Sequence, residues 1–309
     1  MTTRFSGKVA VITGVNDRGI GSAIAERLAA EGAALMVLWL EQPERLLTRC
    51  RRRKFPCHDL RCDVTEPASV TAAIDACLSE YGQIDVLVNN AGVESPQTAE
   101  EITDAAWAAQ LDVNLTGAMR MTRAALPYLA EPGGVIVNMA SALGLGGSPG
   151  YVAYSASKAG LIGMTRALAL ELAPRQQRAV CVAPALVHTP MVYKHLSELT
   201  PETARLVERA HPFGMGTVHD VAHAVAFLAS AEAAWISGIT LPLGWVEGFA
   251  LPVGALSSSA AAGRRADDRA DLPEMPLPRQ PADPPASSEK AWTEAVCPPV
   301  RTGPVRPDR

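Results

Sequence analysis

Short apolar, β-branched runs alternate with alanine-rich segments of helical period along the first 243 residues of the chain. The runs that predict strands are 9–13 (VAVIT), 34–39 (ALMVLW), 56–64, 84–90, 134–141, 179–184 and 238–243. Between them, segments such as GSAIAERLAAEG and PASVTAAIDACLSEYG repeat Ala, Leu and Ile at intervals of three and four, which predicts helices. A strand apolar at consecutive positions is covered on both faces, and strand–helix alternation gives parallel order through right-handed crossovers. The pattern predicts an α/β fold, a doubly wound parallel sheet of Rossmann type, in a single domain over residues 1–250.

Near residue 250 the pattern stops. Residues 251–309 are rich in Pro, Ala and alternating charge, with too few large apolar side chains to offset the entropy of ordering, and predict a disordered extension. A net charge of −4 gives no support for a nucleic-acid partner. No apolar run is long enough to cross a bilayer, and the N-terminus lacks the pattern of a signal peptide, so no membrane partner is expected. The six cysteines (50, 57, 62, 77, 181 and 297) form no C-x-x-C pair, which fits reduced thiols in a cytoplasmic protein. His219 and His223 share a helix face, but no third ligand accompanies them and no metal site is expected.

Doubly wound sheets bind ligands beyond the carboxyl ends of their strands. There, Gly14, Gly19 and Gly21 lie between the first strand and the first helix, where backbone N–H groups and a helix N-terminus can meet a pyrophosphate. Their spacing is not G-x-G-x-x-G. Asp63 follows the third strand, placed to accept from an adenine amino group, and N-N-A-G (89–92) ends the fourth. Asn114, Ser141, Tyr154 and Lys158 come next. Tyr154 lies thirteen positions after Ser141, and the i, i+4 interval to Lys158 puts both on one helix face.

Taken in order, T-G, G-x-G, D-V, N-N-A-G, N, S and Y-x-x-x-K resemble the short-chain dehydrogenase/reductase family over about residues 5–250. The resemblance implies that Gly14, Arg18, Gly19, Ile20 and Gly21 form a phosphate loop, with Asp63 and Val64 at the adenine. It implies that Asn90, Ala91 and Gly92 wall the adenine ribose. Pro184, Val187 and Thr189, in VAPALVHTPM, would meet the nicotinamide. Asn114, Ser141, Tyr154 and Lys158 become the catalytic tetrad, with Tyr154 and Lys158 also touching the cofactor. Tyr154 would be the general acid in reduction and the base in oxidation, its pKa lowered from about 10 by the Lys158 ammonium and an oxidised nicotinamide. Ser141 would orient the substrate oxygen, and Asn114 would hold a water. Residues 191–216 would form a substrate lid. A homo-oligomer, tetramer or dimer, is expected, because family members associate through the helices carrying the tetrad.

Two departures stand out. The family has three residues between its first two glycines, whereas Val15, Asn16, Asp17 and Arg18 make four here, which predicts a bulged turn. Enoyl-carrier-protein reductases also lengthen this loop, which keeps enoyl reduction as an alternative, but they space tyrosine and lysine more widely. The second departure concerns the choice of cofactor. Arg18 stands where NADP-preferring members carry a basic residue, while Glu41 follows the usual discriminating positions, Trp39 and Leu40, and suits the free ribose hydroxyl of NAD. Arg18 favours NADP, with NAD as the alternative. The expected activity interconverts a small-molecule ketone and a secondary alcohol by hydride transfer, nearest in look to 3-oxoacyl-carrier-protein reductases. Its rival is a non-enzymatic dinucleotide-sensing protein, against which the intact tetrad argues.

Overall fold

The computed structural model describes residues 3–197, 211 and 213–244. The extension expected at 251–309 and the centre of the expected lid, 198–210, lie outside the described residues. Seven parallel strands form one sheet in the order β3-β2-β1-β4-β5-β6-β7. They are β1 (Val9–Ile12), β2 (Ala34–Trp39), β3 (Cys57–Arg61), β4 (Val86–Asn89), β5 (Val135–Met139), β6 (Arg178–Pro184) and β7 (Thr240–Leu243). Each lies inside its predicted run or one residue beyond it. The order runs outward from β1 in both directions, so the fold is the doubly wound sheet that the alternation predicts.

Eight helices lie among the described residues: α1 (Ile20–Ala30), α2 (Glu44–Arg53), α3 (Pro67–Tyr81), α4 (Asp104–Leu111), α5 (Gly117–Ala125), α6 (Val152–Leu172), α7 (Pro190–Ser197) and α8 (Val218–Ala229). Because side chains alternate across a strand, each central strand feeds two cores. Ala10, Ile12, Val137 and Val180 pack with Ile24 and Leu28 of α1 and Val225 of α8. Val11, Leu87 and Ile136 pack on the other face with Ile74 of α3, Met121 of α5 and Leu168 of α6. Each such aliphatic side chain contributes about 1.5–3 kcal/mol on burial. The two edge strands, β3 and β7, are half-exposed or exposed throughout, and the CHDLR sequence of β3 is accordingly polar.

A pair of buried amides ties this scaffold to the helices behind the site. Asn89 and Asn138 are register partners on β4 and β5. The Asn89 Nδ2 donates to Asn138 Oδ1 (2.8 Å) and to Thr122 Oγ1 on α5 (3.0 Å), and Asn138 Nδ2 donates to Thr165 Oγ1 on α6 (2.9 Å). Between α4 and α5 the chain makes one π-helical turn, Asp112–Thr116, centred on Asn114. No feature of the apolar pattern foretells it.

Candidate active site

The glycine loop is built by close packing. Gly14 has φ +65°, and a Cβ there would lie 2.5 Å from Ala91 Cα, so no other residue fits without rearrangement. Asn90 Nδ2 donates to the carbonyls of Thr13 (2.9 Å) and Gly14 (3.0 Å), while Thr13 Oγ1 accepts from the N–H groups of Asn90 and Ala91. Asn90 therefore fixes the loop as well as forming part of the wall. The additional residue of the loop is absorbed by a turn that reaches toward α2. Asn16 Oδ1 accepts from Arg18 N (3.2 Å), and one oxygen of Asp17 accepts from the backbone N–H groups of Arg45 (2.9 Å) and Leu46 (3.1 Å). The N-cap of α2 is Pro43, which has no side-chain acceptor, so Asp17 caps that helix from another element.

A cavity of about 700 Å³ runs along the carboxyl ends of the strands. At one end lie Leu40 and Glu41 beyond β2, and Asp63 and Val64 beyond β3. Gly14, Gly19 and Ile20 face Asn90, Ala91 and Gly92 at the middle. The other end carries Ser141, Tyr154 and Lys158, with Pro184, Val187 and Thr189 beyond β6. Of the residues singled out in the sequence, three stand off this wall. Gly21 lies behind it, where a Cβ would come 2.8 Å from Asn90 Nδ2. Asn114 is buried beneath it. Arg18 is exposed and does not line the cavity.

Asp63 is held in place by Thr65, whose hydroxyl (2.7 Å) and N–H (2.9 Å) both donate to one carboxylate oxygen and keep its pKa below the usual range. Lys158 is 4% exposed. Its ammonium donates to the Met139 carbonyl (2.8 Å) and lies 5.5 Å from the Tyr154 ring centroid. Burial pushes its pKa down to about 8. Burial, followed by the charge of Glu94, pushes the Tyr154 phenol above its ordinary value, against the opposing influence of the Ser141 hydroxyl. In the chain by itself the expected lowering is thus reversed, since desolvation and a nearby carboxylate outweigh the Ser141 hydroxyl. Ser141 Oγ also accepts from Leu143 N (3.2 Å), capping the short turn Ala142–Gly144.

The Asn114 side chain bonds its neighbours. Its Oδ1 accepts from Val93 N (2.8 Å), and its Nδ2 donates to the Val93 carbonyl (2.9 Å) and to Ser157 Oγ (3.0 Å). The amide clamps the loop after β4 to α6. Glu94, which the sequence did not single out, lines the wall from that clamped loop, and His211, within the lid expected at 191–216, accepts at Nε2 from Leu186 N (3.2 Å). A lone glutamate in a polar loop carries no local signal of placement.

Known proteins are similar to this chain in sequence and fold. A family model described as enoyl-(acyl carrier protein) reductase matches residues 14–243. The 3-oxoacyl-acyl-carrier-protein reductase of Thermotoga maritima is 36% identical over 240 residues, covering 76% of this chain and 95% of that protein. Among solved structures, a dehydrogenase/reductase from Sinorhizobium meliloti superposes with a TM-score of 0.72 at 32% identity, covering 78% of this chain and 96% of the other. A variant of the Serratia marcescens short-chain dehydrogenase/reductase superposes with a TM-score of 0.70 at 28% identity, covering 78% and 97%. The chain belongs to the short-chain dehydrogenase/reductase family. As a member of the short-chain dehydrogenase/reductases it is an NAD(P)-dependent oxidoreductase acting on carbonyl and alcohol groups. The cavity suits such a dinucleotide on physical grounds. The N-terminus of α1 has Gly19 as its cap residue with no side-chain acceptor, leaving N–H groups for a phosphate beside the Gly14 turn, and a carboxylate stands ready at Asp63.

Proposed function

We propose that this short-chain dehydrogenase/reductase interconverts a ketone and a secondary alcohol at the cavity end formed by Ser141, Tyr154 and Lys158. The observation that carries the reading is the convergence of Ser141, Tyr154 and Lys158 on one end of the cavity, with the Lys158 ammonium 5.5 Å from the tyrosine ring. The dinucleotide, when bound, supplies or accepts the hydride. Tyr154 gives the carbonyl oxygen its proton in reduction and removes it in oxidation, and Ser141 orients that oxygen through its hydroxyl. The phenol that burial keeps protonated is ready as an acid, which favours reduction by the chain's own residues. Lys158 is held by the Met139 carbonyl at the floor of the site, where its ammonium reaches a ribose hydroxyl and steadies a developing phenolate. Asn114 acts through the Val93 clamp, which fixes the loop that closes the site.

We read the enzyme as a cytoplasmic homo-oligomer, a tetramer or dimer. Its described cysteines are free, and the exposed apolar side chains of Leu170 and Trp235 offer surface for association. The activity is tested by following nicotinamide absorbance while NADPH and NADH are each offered aryl ketones, a 3-oxoacyl thioester and a 2-enoyl thioester. Oxidation that depends on a ketone supports the reading. Oxidation only with the enoyl thioester, or none although both cofactors bind, overturns it. Light scattering on the eluting protein checks the assembly.

A further inference from the structure

Apolar side chains line the Tyr154 end of the cavity from the segments that follow three neighbouring strands, β4, β5 and β6. They are Val93 after β4, Leu143 after β5, and Leu186 and Met191 after β6. Backbone hydrogen bonds fix the segments that carry them. The buried Asn114 amide grips Val93 at both its N–H (2.8 Å) and its carbonyl (2.9 Å), and Ser95 N donates to Oε1 of Gln110, also buried, at 2.8 Å. Leu143 N donates to Ser141 Oγ (3.2 Å), and the Leu186 carbonyl accepts from Gly216 N (2.9 Å). Yet Val93 and Met191 remain 42% and 40% exposed. Two large apolar side chains from separate segments thus stand in water on one cavity, a surface that an apolar ligand would cover.

The segment after Ser141 is rich in glycine, and its glycines differ in kind. Gly144 and Gly150 have structural reasons: a Cβ at 144 would lie 2.7 Å from the Lys158 backbone, and Gly150 has φ +81°. Gly146 and Gly147 have neither reason. Neither has a positive φ, and a Cβ at 146 would approach nothing nearer than the Ala142 carbonyl oxygen at 3.9 Å. One at 147 would meet nothing within 4 Å. Glycine loses more backbone entropy on folding than any other residue, so a glycine that the backbone does not require points to a space that is used. Both line the cavity. We infer that Gly146 and Gly147 leave room for a ketone with a bulky apolar substituent, a branched, cyclic or aryl group, which Val93 and Met191 cover. This assignment rests on the proposal that ketone chemistry occurs at Tyr154. It makes the two glycines specificity-determining residues.

The test uses the full chain and three unconjugated methyl ketones: acetone, 2-octanone and cyclohexyl methyl ketone. The last two have the same number of carbons, one in a slim chain and one in a bulky ring. The wild type is expected to favour both over acetone by about tenfold or more in kcat/KM. Gly147→Leu and Gly146→Val should each lower the ratio of cyclohexyl methyl ketone to 2-octanone by about tenfold. Val93→Thr and Met191→Gln nearly keep the shape while adding polar atoms. They should cut the advantage of both larger ketones over acetone by about threefold or more, chiefly through KM. Titration of each variant with NADPH and NADH by fluorescence shows whether it remains folded and binds cofactor. Unchanged ratios in variants that bind cofactor overturn the role of these residues while leaving the ketone chemistry standing. A wild type that turns over all three ketones equally overturns the apolar substrate class and likewise leaves that chemistry standing. A wild type that binds cofactor and turns over none of the three overturns both.

Discussion

Asp17 caps α2 from across the fold: its carboxylate accepts the backbone N–H of Arg45 at 2.9 Å and that of Leu46 at 3.1 Å. The four-residue interval between Gly14 and Gly19 therefore has a structural use. It lets the phosphate loop supply the acceptor that Pro43 cannot, and couples the order of the loop to that of α2. Removing the acceptor with Asp17→Ala should cost about 1 kcal/mol of stability, as loss of other helix caps does. Asp17→Asn retains an oxygen and should recover most of it. Urea denaturation of the three proteins checks this, and equal midpoints for wild type and Asp17→Ala would remove the cap from the account.

Gly14 makes a sharper prediction. Its positive φ and the 2.5 Å approach of a notional Cβ to Ala91 Cα both oppose any side chain, and the obstacle is backbone. Gly14→Ala should lose more than about 2 kcal/mol and most of its affinity for either dinucleotide. Gly163, on the exposed face of α6, has nothing within 4 Å of a Cβ. Gly163→Ala should stabilise by about 0.5–1 kcal/mol, since alanine is the better helix former. Thermal melts and fluorescence titration of the two variants separate a local fault in the loop from a general intolerance of change.

How far this was legible in the sequence follows from what each feature leaves in a linear pattern. Burial on both faces leaves continuous apolar runs, so the five inner strands and the sheet class could be read, and the alternation with helices points to the two half-exposed edge strands. The glycine turn, Asp63, N-N-A-G and the Tyr154–Lys158 interval are local, and the structure gathers them around one cavity. What was missed depends on contacts between distant segments. The π-turn at Asn114 adds no apolar position, and the grip of that amide on Val93 joins residues twenty-one apart. Glu94 looks like any solvated loop acid until the bonds on either side of it are seen.

Replacing Tyr154 with Phe removes the proton donor and leaves the ring that packs edge-on against Tyr151 at 6.3 Å. Turnover in Tyr154→Phe should fall by about 10²–10⁴-fold, the usual range for a general acid, with cofactor affinity changed by less than about threefold. Ketone-dependent nicotinamide oxidation and fluorescence titration give the two numbers. Turnover near the wild-type rate would move the acid elsewhere.

Lys158 links the site to stability. Its ordinary pKa of 10.5 falls to about 8 on burial. Between those values the unfolded chain keeps a proton that the folded chain has released, so the contribution to stability rises with pH across the window and is constant below it. The change amounts to about 3 kcal/mol. Tyr154 acts oppositely above about pH 10, because its raised pKa keeps the folded phenol protonated while the unfolded one ionises. Lys158→Met retains Tyr154, so that second effect largely cancels when the two proteins are compared. The stability of wild type relative to Lys158→Met should improve by about 3 kcal/mol from pH 8 to pH 10.5 in urea denaturation. A flat difference would mean that the buried amine keeps its ordinary pKa.

The last prediction concerns the end of the cavity where Glu41 stands and Arg18 does not. A 2′-phosphate there would meet the Glu41 carboxylate, and Arg18 is the nearby loop cation that could swing in from its exposed position to neutralise it. If that pairing forms on binding, Arg18→Ala should weaken NADPH about tenfold and leave NADH within about twofold, since only the phosphate carries the extra charge. Glu41→Gln should do the reverse, tightening NADPH by removing a like charge and weakening NADH by exchanging a charged acceptor for a neutral one. Both effects should shrink as salt rises, because the groups are exposed. Fluorescence titration of the two variants with both nucleotides, at low and high ionic strength, gives the answer without any substrate. An NADPH affinity indifferent to Arg18 at low salt would show that the lengthened loop keeps the arginine out of reach, and would leave Glu41 to decide the cofactor alone.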